Sequence, residues 1–160
     1  MKKILITFII LSTFVTASLS FAADSNIVSV TATVISGGNC TFRSRTAALD
    51  FGSLDPASPI DKSVSTTIIY RCQASGNSLI TFAITDDNGL YETGPNTLRM
   101  RHTTQLTEYI PYGLTLNPTS GTVPKTKEFP LTITGTVRGV DYQDAAMGNY
   151  SDTVVVSIAP

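Results

Sequence analysis

The chain has 160 residues with 11 Lys and Arg against 12 Asp and Glu, a formal charge of −1, and only 14% charged residues. No basic run and no interleaving of basic with aromatic residues stands in the sequence, so the phosphate-neutralising patch that nucleic-acid binding requires is missing. The composition is aliphatic and Thr-rich, and no stretch of ten or more residues has a helical period. Both features predict a sheet protein of one domain, because the length supports one modest core and not two.

In chain order, residues 1–22 read "MKKILITFIILSTFVTASLSFA". Two lysines precede an uncharged run, which decays into small residues with Ser20 and Ala22 at the minus-three and minus-one positions of a cleavage site. This predicts a secretory signal peptide cut between Ala22 and Ala23, of the compact kind that directs bacterial export to the periplasm. The alternative, a membrane anchor, needs about 20 strongly apolar residues, and Thr16, Ser18 and Ser20 interrupt the block. Removing 22 of 160 residues leaves 138, and removing Lys2 and Lys3 leaves 9 basic against 12 acidic residues, a mature charge of about −3.

The next stretch, "NIVSVTATV" over residues 26–34, alternates Val28, Val30, Ala32 and Val34 with Ser29, Thr31 and Thr33. Period two predicts a strand with one buried face. It is followed by "ISGGN", in which Gly37 and Gly38 form a flexible joint and not a hairpin of fixed register. Residues 23–38 thus read as a detachable extension, and residues 39–160 as the domain proper. The residues leave two possibilities open: the strand belongs to its own sandwich, or it joins a neighbour's sheet by strand addition.

Cys40 and Cys72 are the only cysteines. An even pair in an exported chain predicts one disulfide, whose loop closure stabilises the fold by roughly 3–4 kcal/mol. A reactive or metal-binding role for the thiols would require a nearby His and further ligands at short spacing, and His102 is the only histidine.

Beyond Cys40 the chain reads as short strands divided by turn chemistry. Strands are predicted over residues 63–72, 78–85, 97–102, 110–116 and 129–137, with a last one in "NYSDTVVVSIAP", where Val154, Val156 and Ile158 share a face. "NPTSGTVP", residues 117–124, reads as turn-rich. Strands at this spacing without intervening helices indicate antiparallel pairing and an immunoglobulin-like sandwich. "DDNG", residues 86–89, lacks the later bidentate acid of a calcium loop and reads as a hairpin turn. Asp152 is read as a hydrogen-bonding residue at the start of a strand, and Tyr150 as a residue that packs or caps a turn. "NCT" and "NYS" match glycosylation sequons by chance in a bacterial export context. His102, among the solvated arginines of "RMRH", has no evident partner. No catalytic residue, metal ligand or cofactor site is therefore predicted, and the chain is not read as an enzyme.

Four segments taken together carry a resemblance: "NCTF" (39–42), "LDFGSLDP" (49–56), "TTIIYRC" (66–72) and "GNYSDTVVVSI" (148–158). In this order, on an exported single domain, they resemble the spore coat protein U domain, a family that includes pilin subunits of archaic, sigma-class chaperone-usher pili. The resemblance implies an all-β fold, an incomplete immunoglobulin-like sandwich missing its last strand and completed by a donor strand from a neighbouring subunit. It implies as partners like copies of the chain, other pilus subunits, a periplasmic chaperone and an outer-membrane usher. It places the product in an extracellular pilus at the cell surface, supporting attachment and biofilm formation. Carried over by position, Val28, Val30, Ala32 and Val34 are the donor residues, Cys40 and Cys72 the disulfide, and Val154, Val156 and Ile158 the terminal strand bordering the acceptor groove.

The ending "SIAP" departs from the aromatic residue on which the family often ends, which leaves the chaperone register open. The last pocket takes Val34 or Ile35. The valine set is favoured, because a shift of one residue would bury Ser29, Thr31 and Thr33. A secreted spore or cyst coat protein and a stand-alone adhesive module remain as alternatives, and assembly behaviour separates them.

Overall fold

The structure, a computed structural model, describes residues 26–31, 40–74 and 79–160, and for residues 26–31 the backbone alone. The predicted signal peptide, Ala32, Val34, Ile35 and the Gly37–Gly38 joint lie outside the described residues. Twelve strands are described: β1 (Asn26–Thr31), β2 (Cys40–Phe42), β3 (Thr46–Gly52), β4 (Lys62–Cys72), β5 (Leu79–Asp86), β6 (Arg99–His102), β7 (Tyr109–Pro111), β8 (Gly113–Asn117), β9 (Ser120–Pro124), β10 (Glu128–Val137), β11 (Tyr150–Ser151) and β12 (Thr153–Ala159). Helix among them is confined to one turn, α1 (Gly139–Tyr142).

The strands form a five-stranded sheet in the order β3-β1-β12-β5-β9, a four-stranded sheet in the order β2-β4-β10-β8, and a small sheet β11-β6-β7. The fold is therefore all-β and sandwich-like, and every strand pair is antiparallel except β1 with β12.

The backbone of the four-stranded sheet is the ten-residue ladder between β4 and β10, from Glu128 opposite Arg71 to Val137 opposite Lys62. Alternation along β10 puts Leu131, Ile133 and Val137 inside, all fully buried. The outward residues pair through hydroxyls, Ser63 with Thr136 at 2.8 Å and Ser65 with Thr134 at 2.7 Å. From the facing sheet come Leu49 and Phe51 of β3, Ile80, Phe82 and Ile84 of β5, and Val154, Val156 and Ile158 of β12, all buried. The two layers meet closely at Gly135 of β10, where an added Cβ would stand 2.8 Å from the Phe51 ring. Tyr70 lies 5.0 Å from Phe82, ring centre to ring centre, and closes the core near β2. Cys40 and Cys72 face each other across β2 and β4 and form the expected disulfide.

Three local expectations change. Residues 117–124 are not all turn: β9 occupies Ser120–Pro124 and pairs with β5 from Leu79 opposite Pro124 to Ala83 opposite Ser120. Gly121 and the flanking prolines hide the strand from propensity, but an edge position tolerates them and the pairing with β5 decides. The predicted strand 110–116 is two strands in different sheets, β7 and β8, divided at the buried Tyr112. The turn at residues 86–89 is present, with Asn88 and Gly89 at φ 61 and 79, but it closes no hairpin. The neighbours of β5 are β12 and β9, and β6 pairs with β11 and β7.

Candidate functional site

The resemblance assigns donor residues to β1 and acceptor-bordering residues to β12, and these strands are neighbours in one sheet, with β3 on the other edge of β1, so that β1 occupies a seam between β3 and β12. β3 carries Leu49 and Phe51 inward, with Asp50 exposed between them. β12 carries Val154, Val156 and Ile158 inward at 0–1% exposure. β1 lies between the two. Its register sets Val28 opposite Leu49 and Val30 opposite Ala47 on β3, antiparallel, and Val30 opposite Val154 on β12, parallel. Ser29 stands opposite Ala48 and Thr31 opposite Thr46, both exposed positions of β3. Ala32 and Val34, the remaining donor residues of the sequence reading, lie outside the described residues.

Of the two possibilities left open for this strand, the solitary chain adopts the first: its own leading segment fills the sheet. The physical reason is proximity. A segment tethered a few residues away presents itself to the seam at an effective concentration on the order of millimolar, and an unfilled seam would expose an apolar groove and two strand edges.

The start of β12 is fixed by two aspartates. Asp87 Oδ1 accepts the Val155 N–H at 2.9 Å and the Gly89 N–H at 3.0 Å. Asp152 is buried at 2% exposure. Its Oδ1 accepts the N–H groups of Thr153 (2.8 Å) and Leu90 (3.0 Å), and its Oδ2 accepts the Tyr112 hydroxyl at 2.7 Å. Burial pushes the Asp152 carboxyl above its ordinary value, and the three donors offset only part of that. Burial together with the bond to Asp152 drives the Tyr112 phenol strongly upward. Asp152 thus has the hydrogen-bonding role expected of it. Tyr112, its partner, is the residue sequence reasoning missed, and the only local signal for it was a lone Tyr between two apolar strands.

Tyr150 is buried, as expected, and donates its hydroxyl to the Ala146 carbonyl at 2.9 Å. His102 departs from expectation. It is buried at 3% exposure, with Nδ1 accepting the N–H groups of Gln105 (2.9 Å) and Thr104 (3.1 Å) and Nε2 facing the Met147 carbonyl at 2.9 Å. With Nδ1 committed as acceptor, the proton resides on Nε2, and the ring is a structural tie between β6 and the 146–148 segment. Its shortest hydrogen bonds are to backbone groups, which carry no sequence signal, and the Thr104 hydroxyl and the Tyr150 ring also meet it. The arginines flanking it are not simply solvated either. Arg99 lies over the Tyr109 ring and Arg101 over the Tyr91 ring, at 4.2 and 4.3 Å. Folding brings about the cation–aromatic interleaving that is absent along the chain.

Among the described residues no three His, Cys, Asp or Glu side chains converge on a common point, and no helix is long and apolar enough to cross a membrane. What the seam can do is bind a strand: it offers two backbone edges and a buried apolar floor, and the strand now in it is joined to the domain through Gly37 and Gly38.

The geometry is that of an all-β sandwich whose leading strand lies between β3 and β12. The chain belongs to the Spore Coat Protein U domain family, whose description matches residues 24–157. A comparison with curated proteins finds no match. Family membership carries a structural subunit role of the pilus or coat kind.

Proposed function

We propose that the chain is a pilus subunit assembled by a periplasmic chaperone and an outer-membrane usher through donor-strand exchange, residues 26–34 of one copy filling the seam between β3 and β12 of the next. The product is an extracellular surface fibre that supports attachment. The observation that carries this reading is the placement of β1. It is inserted between β3 and β12, and its pairing with β12 is the one parallel pairing among the described residues. Parallel pairing is slightly weaker per residue than antiparallel. A strand entering from another copy in the opposite direction would run antiparallel to β12 and parallel to β3, so either polarity makes one parallel and one antiparallel pairing. Each buried apolar donor residue contributes on the order of 1–3 kcal/mol, and the exchange keeps the burial while changing its owner. A chaperone strand held in the seam during export would prevent the intramolecular closure that proximity otherwise favours.

The same placement favours a second reading. A chain that closes its own sheet can persist as a folded monomer, which suits a secreted coat component. Expression of the mature chain with and without residues 26–34, beside a chaperone, separates the two. A pilin without this segment stays folded on the chaperone and forms no detergent-resistant ladder, whereas the intact chain forms one. Equal polymerisation of both forms removes the donor role, and a stable monomer of the intact chain in the presence of chaperone and usher selects the coat reading.

A further inference from the structure

The small sheet presents a feature that the seam does not use. Arg99 and Arg101 occupy alternate positions of β6, about 7 Å apart along the strand, on the face opposite the buried Met100 and His102. Each guanidinium lies over a tyrosine ring, Arg99 over Tyr109 and Arg101 over Tyr91, and the two tyrosines meet edge to face at 6.1 Å. Arg99 is further fixed by its Nε–H bond to the Tyr91 carbonyl at 2.9 Å. Contact with the ring orders a side chain that is otherwise rich in rotamers, and it leaves the terminal N–H groups of both guanidinium groups available to a bidentate acceptor.

Neither arginine has a carboxylate partner among the described residues, where the ion pairs are Arg43 with Glu128 and Arg138 with Asp141. Two ordered, unneutralised cations on a chain of net negative charge are a local exception to its electrostatics. Arg99 also lines an open groove of about 470 Å³, together with Thr93, Asn96, Thr97, Thr136 and Asp141. The Asp141 carboxylate is held there by Arg138, and the Thr97 hydroxyl is taken up by Thr93 and Gly94. The Asn96 amide and the remaining acceptor capacity of the Thr93 and Thr136 hydroxyls, each bonded once within the protein, face the groove as groups that recognise sugar hydroxyls.

We propose that this face binds a carboxylate-bearing polysaccharide, with Arg99 and Arg101 taking the carboxylates and the adjoining groove taking the sugar hydroxyls. Two cations match a sparse polyanion with one charge per ring. They do not match a nucleic acid, whose charge density calls for a broader basic surface. A peptide fits less well, since β7 at the sheet edge is three residues long and ends on Pro111, which leaves little backbone for strand addition.

The test is calorimetric titration of the full mature chain with an oligogalacturonate, with the same oligomer as its neutral methyl ester, and with oligoglutamate of equal length. The free acid is expected to bind about tenfold or more tighter than the ester, and to weaken as salt rises. Arg101→Gln, which removes a cation whose side chain makes no hydrogen bond among the described residues, should cut the affinity by about tenfold while lowering the thermal midpoint by no more than about 4 °C, the loss of its contact with Tyr91. Arg101→Lys, which keeps the charge and loses the fork, should fall between the two. Equal binding of acid and ester, an unchanged affinity in Arg101→Gln, no measurable binding, or oligoglutamate binding as tightly as the uronate would each overturn the proposal.

Discussion

Replacing Tyr112 with Phe tests the tie between the start of β12 and the crossover from β7 to β8. The ring would keep its edge contact with Phe51, 6.4 Å between centres, and lose only the hydroxyl that reaches Asp152 Oδ2 at 2.7 Å. Asp152 would keep the N–H groups of Leu90 and Thr153 on Oδ1, leaving Oδ2 buried without a donor. An unsatisfied buried acceptor costs about 1–3 kcal/mol, and the charged character of the lost bond puts the expectation at about 2–3 kcal/mol. For a domain of this size about 1 kcal/mol corresponds to roughly 4 °C, so the thermal midpoint should drop by about 8–12 °C at neutral pH.

The deficit depends on pH. Asp152 already titrates above its ordinary value because burial disfavours its anion, and removing the phenol takes away a group that holds the anion and raises it further. A carboxyl whose folded value exceeds its unfolded one favours folding below the unfolded value, near pH 4, and that contribution is lost as the pH rises through the folded value. The gap between Tyr112→Phe and the parent should therefore widen from pH 4 toward pH 7. Thermal melts followed by circular dichroism across that range read the effect directly. A midpoint within about 1 °C of the parent at pH 7, or a gap that narrows as pH rises, would refute this account of the Tyr112–Asp152 pair.

Asp152→Asn keeps an acceptor for Leu90 and Thr153 and removes the titration, so its stability should vary less than the parent's between pH 4 and 7 in the same melts. Cys40→Ser with Cys72→Ser should lower the urea midpoint by an amount equivalent to roughly 3–4 kcal/mol, the entropy of a closed loop between residues 32 apart. Gly148→Ala puts a Cβ 2.2 Å from His102 Nε2 at a φ of +142, displacing the His102–Met147 bond. It should cost about 2–4 kcal/mol, while Gly113→Ala, with its nearest atom at 3.9 Å, should cost under about 1 kcal/mol. Ser29→Cys with Ala48→Cys joins positions opposite each other on β1 and β3, and the oxidised form should remain monomeric on a denaturing gel where the reduced form assembles.

The long ladder strands were legible because one face of each is wetted and the other buried, and β4, β5, β10 and β12 carry that period openly. β9 was not, since Gly121 and its bounding prolines read as punctuation and only the cross-strand partners Ile80 and Thr81 reveal Val123 and Thr122 as strand residues. The split of 110–116 was equally hidden: a change of sheet at Tyr112 is decided by a carboxylate forty residues away. His102 looked unattached because its shortest hydrogen bonds are to main-chain atoms, one of them 45 residues distant. At the seam, the alternation of Val154, Val156 and Ile158 announced the buried floor, and "LDFG" held the same period in Leu49 and Phe51. Which copy's leading strand occupies it was not encoded in the pattern, because the alternation specifies a face to bury and not the molecule that buries it.

The bridge at Cys40 also has a mechanical meaning. Traction applied to the leading segment reaches the body of the protein at β2, which is only three residues long and would unzip from β4 one hydrogen bond at a time if backbone pairing alone held it. The covalent link instead delivers the load at once to Cys72, the last residue of the strand that shares ten paired positions with β10. Tension then acts on the longest ladder among the described residues and bypasses the three-pair ladder of β2.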